Sequence, residues 1–275
     1  MADQGEGGGG RIVKALRALG FSGKDARSAD EMLNLLRAQR KAQRRPEADP
    51  MAPELFNFFN FAMARAGRSQ GQLFQDLWVA FELAEARAGY FVEFGATNGI
   101  TMSNSHMLEK HYGWQGIVAE PNPEYHDRLG RERACHISHR CVYSRSGERM
   151  EFLCTEQGVY SRLAEVDPED MHEAEKRLDP RRIEVETVSL EDLLQEFSAP
   201  DTIDYLSVDT EGSEFEILSA FDFSRRFVRC LTVEHNFTPM REALHGLLTA
   251  QGYIRRFPEF TRFDDWYVHR DVARG

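Results

Sequence analysis

From Tyr90 onward, short apolar stretches alternate with amphipathic ones, and that alternation restricts the chain to very few architectures. The apolar stretches read as strands at Tyr90–Phe94, 116–120, 134–142, 203–209 and Phe227–Glu234, and the intervening segments as helices at 101–112, 123–133, 212–220 and 239–251. Strand–helix alternation sustained this long implies an α/β protein, with a mainly parallel sheet covered on both faces. Two further strands, Arg149–Cys154 and 182–188, interrupt the rhythm and flank a charged stretch, 155–181, expected to be a loop with a short helix. At the C-terminal end, 253–257 and 266–269 are separated by only eight residues. That is too short for a helical crossover, so an antiparallel hairpin is expected to finish the sheet.

The chain upstream has a different texture. Residues 1–10 include four consecutive glycines and are expected to be a disordered tail. Residues 11–53 read as a basic helical extension and linker, ten Lys/Arg standing against three acids between 11 and 45. A helix is expected over 54–66, and 54–275 as the main domain with 54–88 as a helical lid. The net charge of −11 places an acidic body behind a basic N-terminal segment. An acidic body argues against a broad nucleic-acid surface, because such binding rests on Lys/Arg meeting phosphates. There is no apolar run of membrane-spanning length, no secretory signal and no close CxxC pair, so a cytoplasmic protein is expected. The basic segment 11–45 could dock on an acidic partner, on anionic lipid or on a second copy of the chain.

The turn after the first strand, Glu93-Phe-Gly-Ala-Thr-Asn-Gly99, is the most informative segment. Ligands of open α/β sheets bind beyond the carboxyl ends of strands, and the first strand–helix turn is the usual place. Gly95 would admit a ligand close to the backbone, and Gly99 would allow tight packing. The spacing is not GxGxxG. A carboxylate at Glu93 would oppose a dinucleotide pyrophosphate and suit a cofactor with an ammonium group, such as S-adenosylmethionine. Glu120, ending the second strand, could take both ribose hydroxyls through its two oxygens.

A second group of polar residues ends the later strands: Asp209 and Glu211, then Glu234, His235 and Asn236. Were these strands neighbours, the group would converge beside the cofactor turn. His235, Asp209 and Glu211 are the candidate catalytic residues, a histidine suiting removal of a hydroxyl proton. Alternatively Asp209, Glu211, Glu234 and His235 could hold Mg²⁺.

The segments Tyr90–Gly99, 113–123, 185–190, 203–218 and 231–237 together resemble the FkbM-family methyltransferases, with similarity extending over about residues 69–269. The resemblance implies a Rossmann-like methyltransferase fold: a mainly parallel seven-stranded sheet with an antiparallel C-terminal strand, here with a helical N-terminal extension. It implies S-adenosylmethionine-dependent O-methylation of a sugar, glycan or other small hydroxyl compound. It also implies cofactor contacts by Glu93, Gly95, Ala96, Thr97, Asn98, Gly99, Glu120, Pro121 and Val142, with Gln75 and Asp76 in a covering lid. The competing readings are a nicotinamide-dependent enzyme on a related sheet, which Glu93 disfavours, and a non-catalytic binding protein, which gains nothing from converging polar groups.

Overall fold

The computed structural model describes residues 52–155, 161–164 and 180–273. The expectations for the tail, the basic extension and most of 155–181 therefore lie outside the described residues. The chain divides into two compact units, Met1–Ala64 and Arg65–Gly275. In the first, helix α1 (Ala52–Met63) carries Leu55, Phe58, Phe59 and Ala62 at helical spacing, all buried.

The second unit contains α2 (Gln75–Glu82), β1 (Tyr90–Phe94), α3 (His106–Tyr112), β2 (Gln115–Ala119), α4 (Pro123–Glu132), β3 (His136–Ser138), β4 (Cys141–Tyr143), β5 (Arg149–Cys154), β6 (Arg162–Leu163), β7 (Arg181–Ser189), α5 (Leu190–Glu196), β8 (Thr202–Val208), α6 (Glu214–Ala220), β9 (Phe227–Glu234), α7 (Met240–Ala250), β10 (Tyr253–Arg256) and β11 (Asp264–His269). Seven strands form one sheet in the order β10-β11-β9-β8-β1-β2-β3. Its pairings are parallel except those of β11, which lies antiparallel between β9 and β10.

Register decides which side chains share a face. Glu93 is opposite Ser207, Ser207 opposite Thr232, and Glu234 opposite Asp264. Successive side chains on a strand point to opposite faces, so these polar residues line one face together with Phe91, Tyr205 and Trp266. The other face presents Val92, Phe94, Leu206, Val208, Leu231 and Val233 to Leu193 of α5, Ile217 and Leu218 of α6, and Leu244 and Leu248 of α7, making the main core. On the polar face α2 packs against α3 and β9. Trp78 stacks there on Trp266 with ring centroids 5.1 Å apart, an arrangement worth about 0.5–1.5 kcal/mol beyond its buried area. No helix among the described residues is long and apolar enough to cross a membrane.

Two local expectations are corrected and a third holds. The single strand expected at 134–142 is two: β3 ends the main sheet, whereas β4 joins a separate four-stranded sheet ordered β4-β7-β5-β6, to which both interrupting strands belong. Cys135 and Cys141 therefore do not share a strand. The helix expected from 101 begins only at His106, because Glu93 draws residues 103–105 into a loop. The C-terminal pair is antiparallel as expected, with its second strand inserted next to β9.

Candidate active site

The polar residues collect at the carboxyl ends of the neighbouring strands β1, β2, β8 and β9. After β1 the chain turns through Gly95 (φ 70°), Thr97 (φ 44°) and Gly99 (φ 80°). Gly95 is exposed, and a Cβ there would lie 2.4 Å from the Asp209 carbonyl oxygen, so the turns after β1 and β8 are in contact. A Cβ at Gly99 would strike Leu129 and Arg133 at 2.7 and 2.9 Å, which shows the turn pressed onto α4. The buried Ala96 directs its N–H at the Ala119 carbonyl of β2 (3.4 Å), and Asn98 Oδ1 accepts the N–H groups of Ile100 and Thr101, locking the turn.

Glu120 follows β2, just before the half-buried Pro121. One carboxylate oxygen accepts the Thr97 N–H and the other the Asn122 N–H, both at 2.8 Å. Asn122 in turn caps α4 by accepting the Glu124 N–H, with Pro123 in the first turn. Burial pushes the Glu120 carboxyl up to about 7, against the pull of those backbone donors. Each oxygen keeps acceptor capacity for a diol.

Glu93 is more deeply engaged than the sequence suggests. Its carboxylate accepts Ser103 Oγ (2.9 Å), Ser105 Oγ (2.6 Å) and the Asn104 N–H (2.6 Å), and lies 3.5 Å from the buried Arg133 guanidinium. It therefore shapes the loop that carries the turn. Asn104 continues the network by donating to Ser207 Oγ at 3.0 Å.

Three of the expected metal-ligand candidates come together. Carboxylate oxygens of Asp209, Glu211 and Glu234 all lie within 4.8 Å of one another. Glu214 pins the turn that presents Asp209 and Glu211, accepting the N–H groups of Thr210 and Gly212. Glu211 sits there with a left-handed backbone (φ 57°), a conformation that costs a non-glycine residue about 1–2 kcal/mol. Burial, with Glu214 nearby, raises the half-buried Asp209 to about 7. Glu234 is raised well above its ordinary value by burial and by Asp209, Glu211, Glu214 and Asp264, and its Oε2 is buried with no hydrogen-bond partner.

His235 does not join this group. Strand alternation turns it to the opposite side, where its Nδ1 accepts the Phe237 N–H (3.0 Å) and its Nε2 lies 3.8 Å from Asp265 Oδ1. As a fourth metal ligand it is therefore corrected: the donor set among the described residues is carboxylate only. Val142 pairs with Val188 inside the main core. Asp76 is consumed by its own turn, accepting Ser69 Oγ and the N–H groups of Gln70, Gly71 and Leu77.

Gln75, by contrast, reaches the acids through a residue given no role in the sequence. Its Nε2 donates to Asp264 Oδ2 at 2.6 Å, and Asp264 faces Glu234 across the sheet. Burial, followed by Asp209, raises Asp264 to about 8. The available signal was an acid two residues before Trp266, on the same face of a strand otherwise apolar on that side.

Residues 93–266 match the model of a family described as the methyltransferase FkbM domain. Among solved structures the chain is similar to precorrin-6y C5,15-methyltransferase from Geobacter metallireducens GS-15 (11% identity over 70% of this chain and 85% of that one, TM-score 0.38). It is also similar to a putative sarcosine dimethylglycine methyltransferase from Galdieria sulphuraria (10% identity, 67% and 63% covered, TM-score 0.31). A third likeness is to a point mutant of MtNAS in complex with S-adenosylmethionine (13% identity, 90% and 80% covered, TM-score 0.33). No curated protein matches.

Proposed function

The chain belongs to the FkbM methyltransferase family, whose members are S-adenosylmethionine-dependent, and from that premise we propose that it methylates a hydroxyl oxygen of a sugar, glycan or other small acceptor. The observation that carries this reading is the contact between the two turns. Gly95 lies against the Asp209 carbonyl, so residues of the acid group would be close to a cofactor held at the β1 turn. Glu120 would take the ribose hydroxyls, and the exposed Gly95 would let the cofactor approach the turn closely. When bound, S-adenosylmethionine would supply the methyl group to the acceptor oxygen, its carbon–sulfur bond breaking to leave S-adenosylhomocysteine. The hydroxyl proton passes to a carboxylate of the group, and Asp209, titrating at about 7, is matched to that task near neutrality. Alignment of the acceptor oxygen, methyl and sulfur supplies much of the acceleration.

A second reading, that Asp209, Glu211 and Glu234 hold Mg²⁺, is favoured by their close carboxylate oxygens. No ion pair to Lys, Arg or His reaches Asp209 or Glu234 among the described residues, and oxygen-only donor sets suit hard divalent cations. When bound, such an ion lowers the pKa of a hydroxyl it contacts.

Calorimetric titration of the full chain with S-adenosylhomocysteine, NAD and Mn²⁺ tests both readings. Binding of the first and not the second is expected, and the converse would remove the transfer reading. Mn²⁺ binding that disappears in Glu234→Gln is expected for the metal site; no Mn²⁺ binding by the unaltered chain rejects it. The basic segment 11–45 is proposed to dock on an acidic surface. Deletion of residues 1–53 that leaves solution size and activity unchanged would end that proposal.

A further inference from the structure

Phe237 is the most exposed large apolar side chain among the described residues, 63% accessible, and it follows Glu234 by three positions. Its presentation is built rather than loose. Asn236 and Phe237 both have left-handed backbones, φ 43° and 60°. That is rare for a bulky residue, and such strain persists where surrounding structure enforces it, commonly at functional sites. Here the enforcing bonds are visible. Asn236 N–H donates to the Phe263 carbonyl (3.2 Å), Phe237 N–H to His235 Nδ1 (3.0 Å), and Thr238 N–H and Oγ–H to the His235 carbonyl (2.8 and 2.9 Å). Asn236 Nδ2 donates to Glu211 Oε2 at 3.3 Å, tying the loop to the acid group. Arg241 clamps the far end onto Asp265 through two bonds of 3.0 and 2.7 Å.

The imidazole of His235 is buried against this loop. Its side chain is 1% exposed, its Nδ1 is occupied, and its ring meets Phe237 edge to face at 5.5 Å. We propose that Phe237 is a platform for the apolar face of a pyranose ring on the acceptor, and that His235 is the positioning residue that holds the platform in place. This rests on the transfer reading above. An exposed aromatic ring that follows directly on a carboxamide bonded to a carboxylate fits a ring that is C–H on one face and hydroxylated at its edge, because binding sites combine apolar surface with a few placed polar groups. Glu211 and Asn236 meet the hydroxyls while the ring covers Phe237.

The test uses the full chain, labelled S-adenosylmethionine, methyl β-D-glucopyranoside, methyl α-D-mannopyranoside and methyl β-D-galactopyranoside as probes, catechol as a planar comparator, and S-adenosylhomocysteine calorimetry alongside. Methylation of at least one pyranoside is expected. Phe237→Ala and Phe237→Leu should raise its KM about tenfold or more while kcat and S-adenosylhomocysteine affinity stay within about twofold, and Phe237→Tyr should restore it. His235→Asn keeps an oxygen able to accept the Phe237 N–H but no group that titrates near neutrality. It should hold kcat within about threefold, whereas His235→Ala should raise KM as Phe237→Ala does. An unchanged KM in both Phe237→Ala and Phe237→Leu overturns the platform. A fall of about a hundredfold in kcat for His235→Asn makes His235 a base instead of a positioning residue. Methylation of catechol alone, or of no probe by a chain that binds S-adenosylhomocysteine, overturns the pyranose assignment. Failure to bind S-adenosylhomocysteine is a different result, and removes the transfer reading itself.

Discussion

Two acidic sites lie at the same edge of one sheet and are resolved in opposite ways. At the end of β1, Glu93 and Glu109 surround Arg133, which donates from Nε to Glu109 at 2.7 Å and from its other nitrogens to Ser103, Ser105 and the Gly99 carbonyl. Its guanidinium also lies 5.3 Å from the Phe91 ring centre. Burial alone would raise Glu109, yet Arg133 and the neighbouring donors hold it down to about 2. Further across the same sheet, Asp209, Glu234 and Asp264 have no described basic side chain within ion-pair distance, and all are pushed upward. Adjacent residues of one strand repeat the contrast. Asp265 is met by Arg241 and Arg255 on its face of the sheet, and Asp264 by Gln75 and other acids on the opposite face. A carboxylate whose countercharge is supplied by the chain serves the fold. One whose countercharge is withheld is, under the function proposed above, where a cation from outside would be met, whether the sulfonium of the cofactor or a divalent ion.

The largest effect that would break this distinction is expected at Arg133. Arg133→Met strands two buried carboxylates and should destabilise the protein by about 3–5 kcal/mol, read from denaturant unfolding. Glu234→Gln, by contrast, should leave stability unchanged or raise it, and equal losses in both variants would erase the difference between the sites. In the unbalanced group, Asp209→Asn should slow methyl transfer by about 10²-fold or more while sparing S-adenosylhomocysteine affinity, a split that single-turnover and binding measurements separate. Glu120→Ala should weaken S-adenosylhomocysteine binding by about 1–3 kcal/mol, and unaltered affinity would take Glu120 out of the ribose contact.

The smallest effect is on pH. Burial raises Glu120 and Asp209 to about 7 and Asp264 to about 8. The folded chain then keeps protons that the unfolded chain has released, so stability of the ligand-free protein falls as pH rises from about 4 toward 8. A thermal-melting series should show that decline, shallower in Asp264→Asn. A midpoint that instead climbs over the same interval contradicts the reading of these acids as uncompensated.

Much of the architecture is legible in the sequence because it depends on local pattern. Tyr90–Phe94 and Phe227–Glu234 are strands with the boundaries their apolar runs suggest, and the turn from Glu93 to Gly99 announces itself by its glycines. What escapes depends on partners distant in the chain. Nothing local in 134–142 records that β3 and β4 belong to different sheets, since period-two patterning is the same in either. The apolar face from 101 to 112 suggests a full helix, and only the reach of Glu93 to Ser103 and Ser105 explains why its first turn is missing. His235 and Glu234 are neighbours and equally plausible ligands on paper, but the pleat separates them. Asp264 and Asp265 are indistinguishable as a pair of letters, and what sets them apart is Arg241, Arg255 and Gln75.

The insertion of β11 between β9 and β10 has a consequence for biogenesis. In the main sheet β10 hydrogen-bonds to β11 alone, so on a ribosome it has no sheet partner to join until residues 264–269 emerge behind it. Domains tend to organise from the N-terminal side during synthesis, and here the acid group cannot be completed before Asp264 arrives. A nascent chain stalled earlier would present β9 as a raw edge, open to association with other strands.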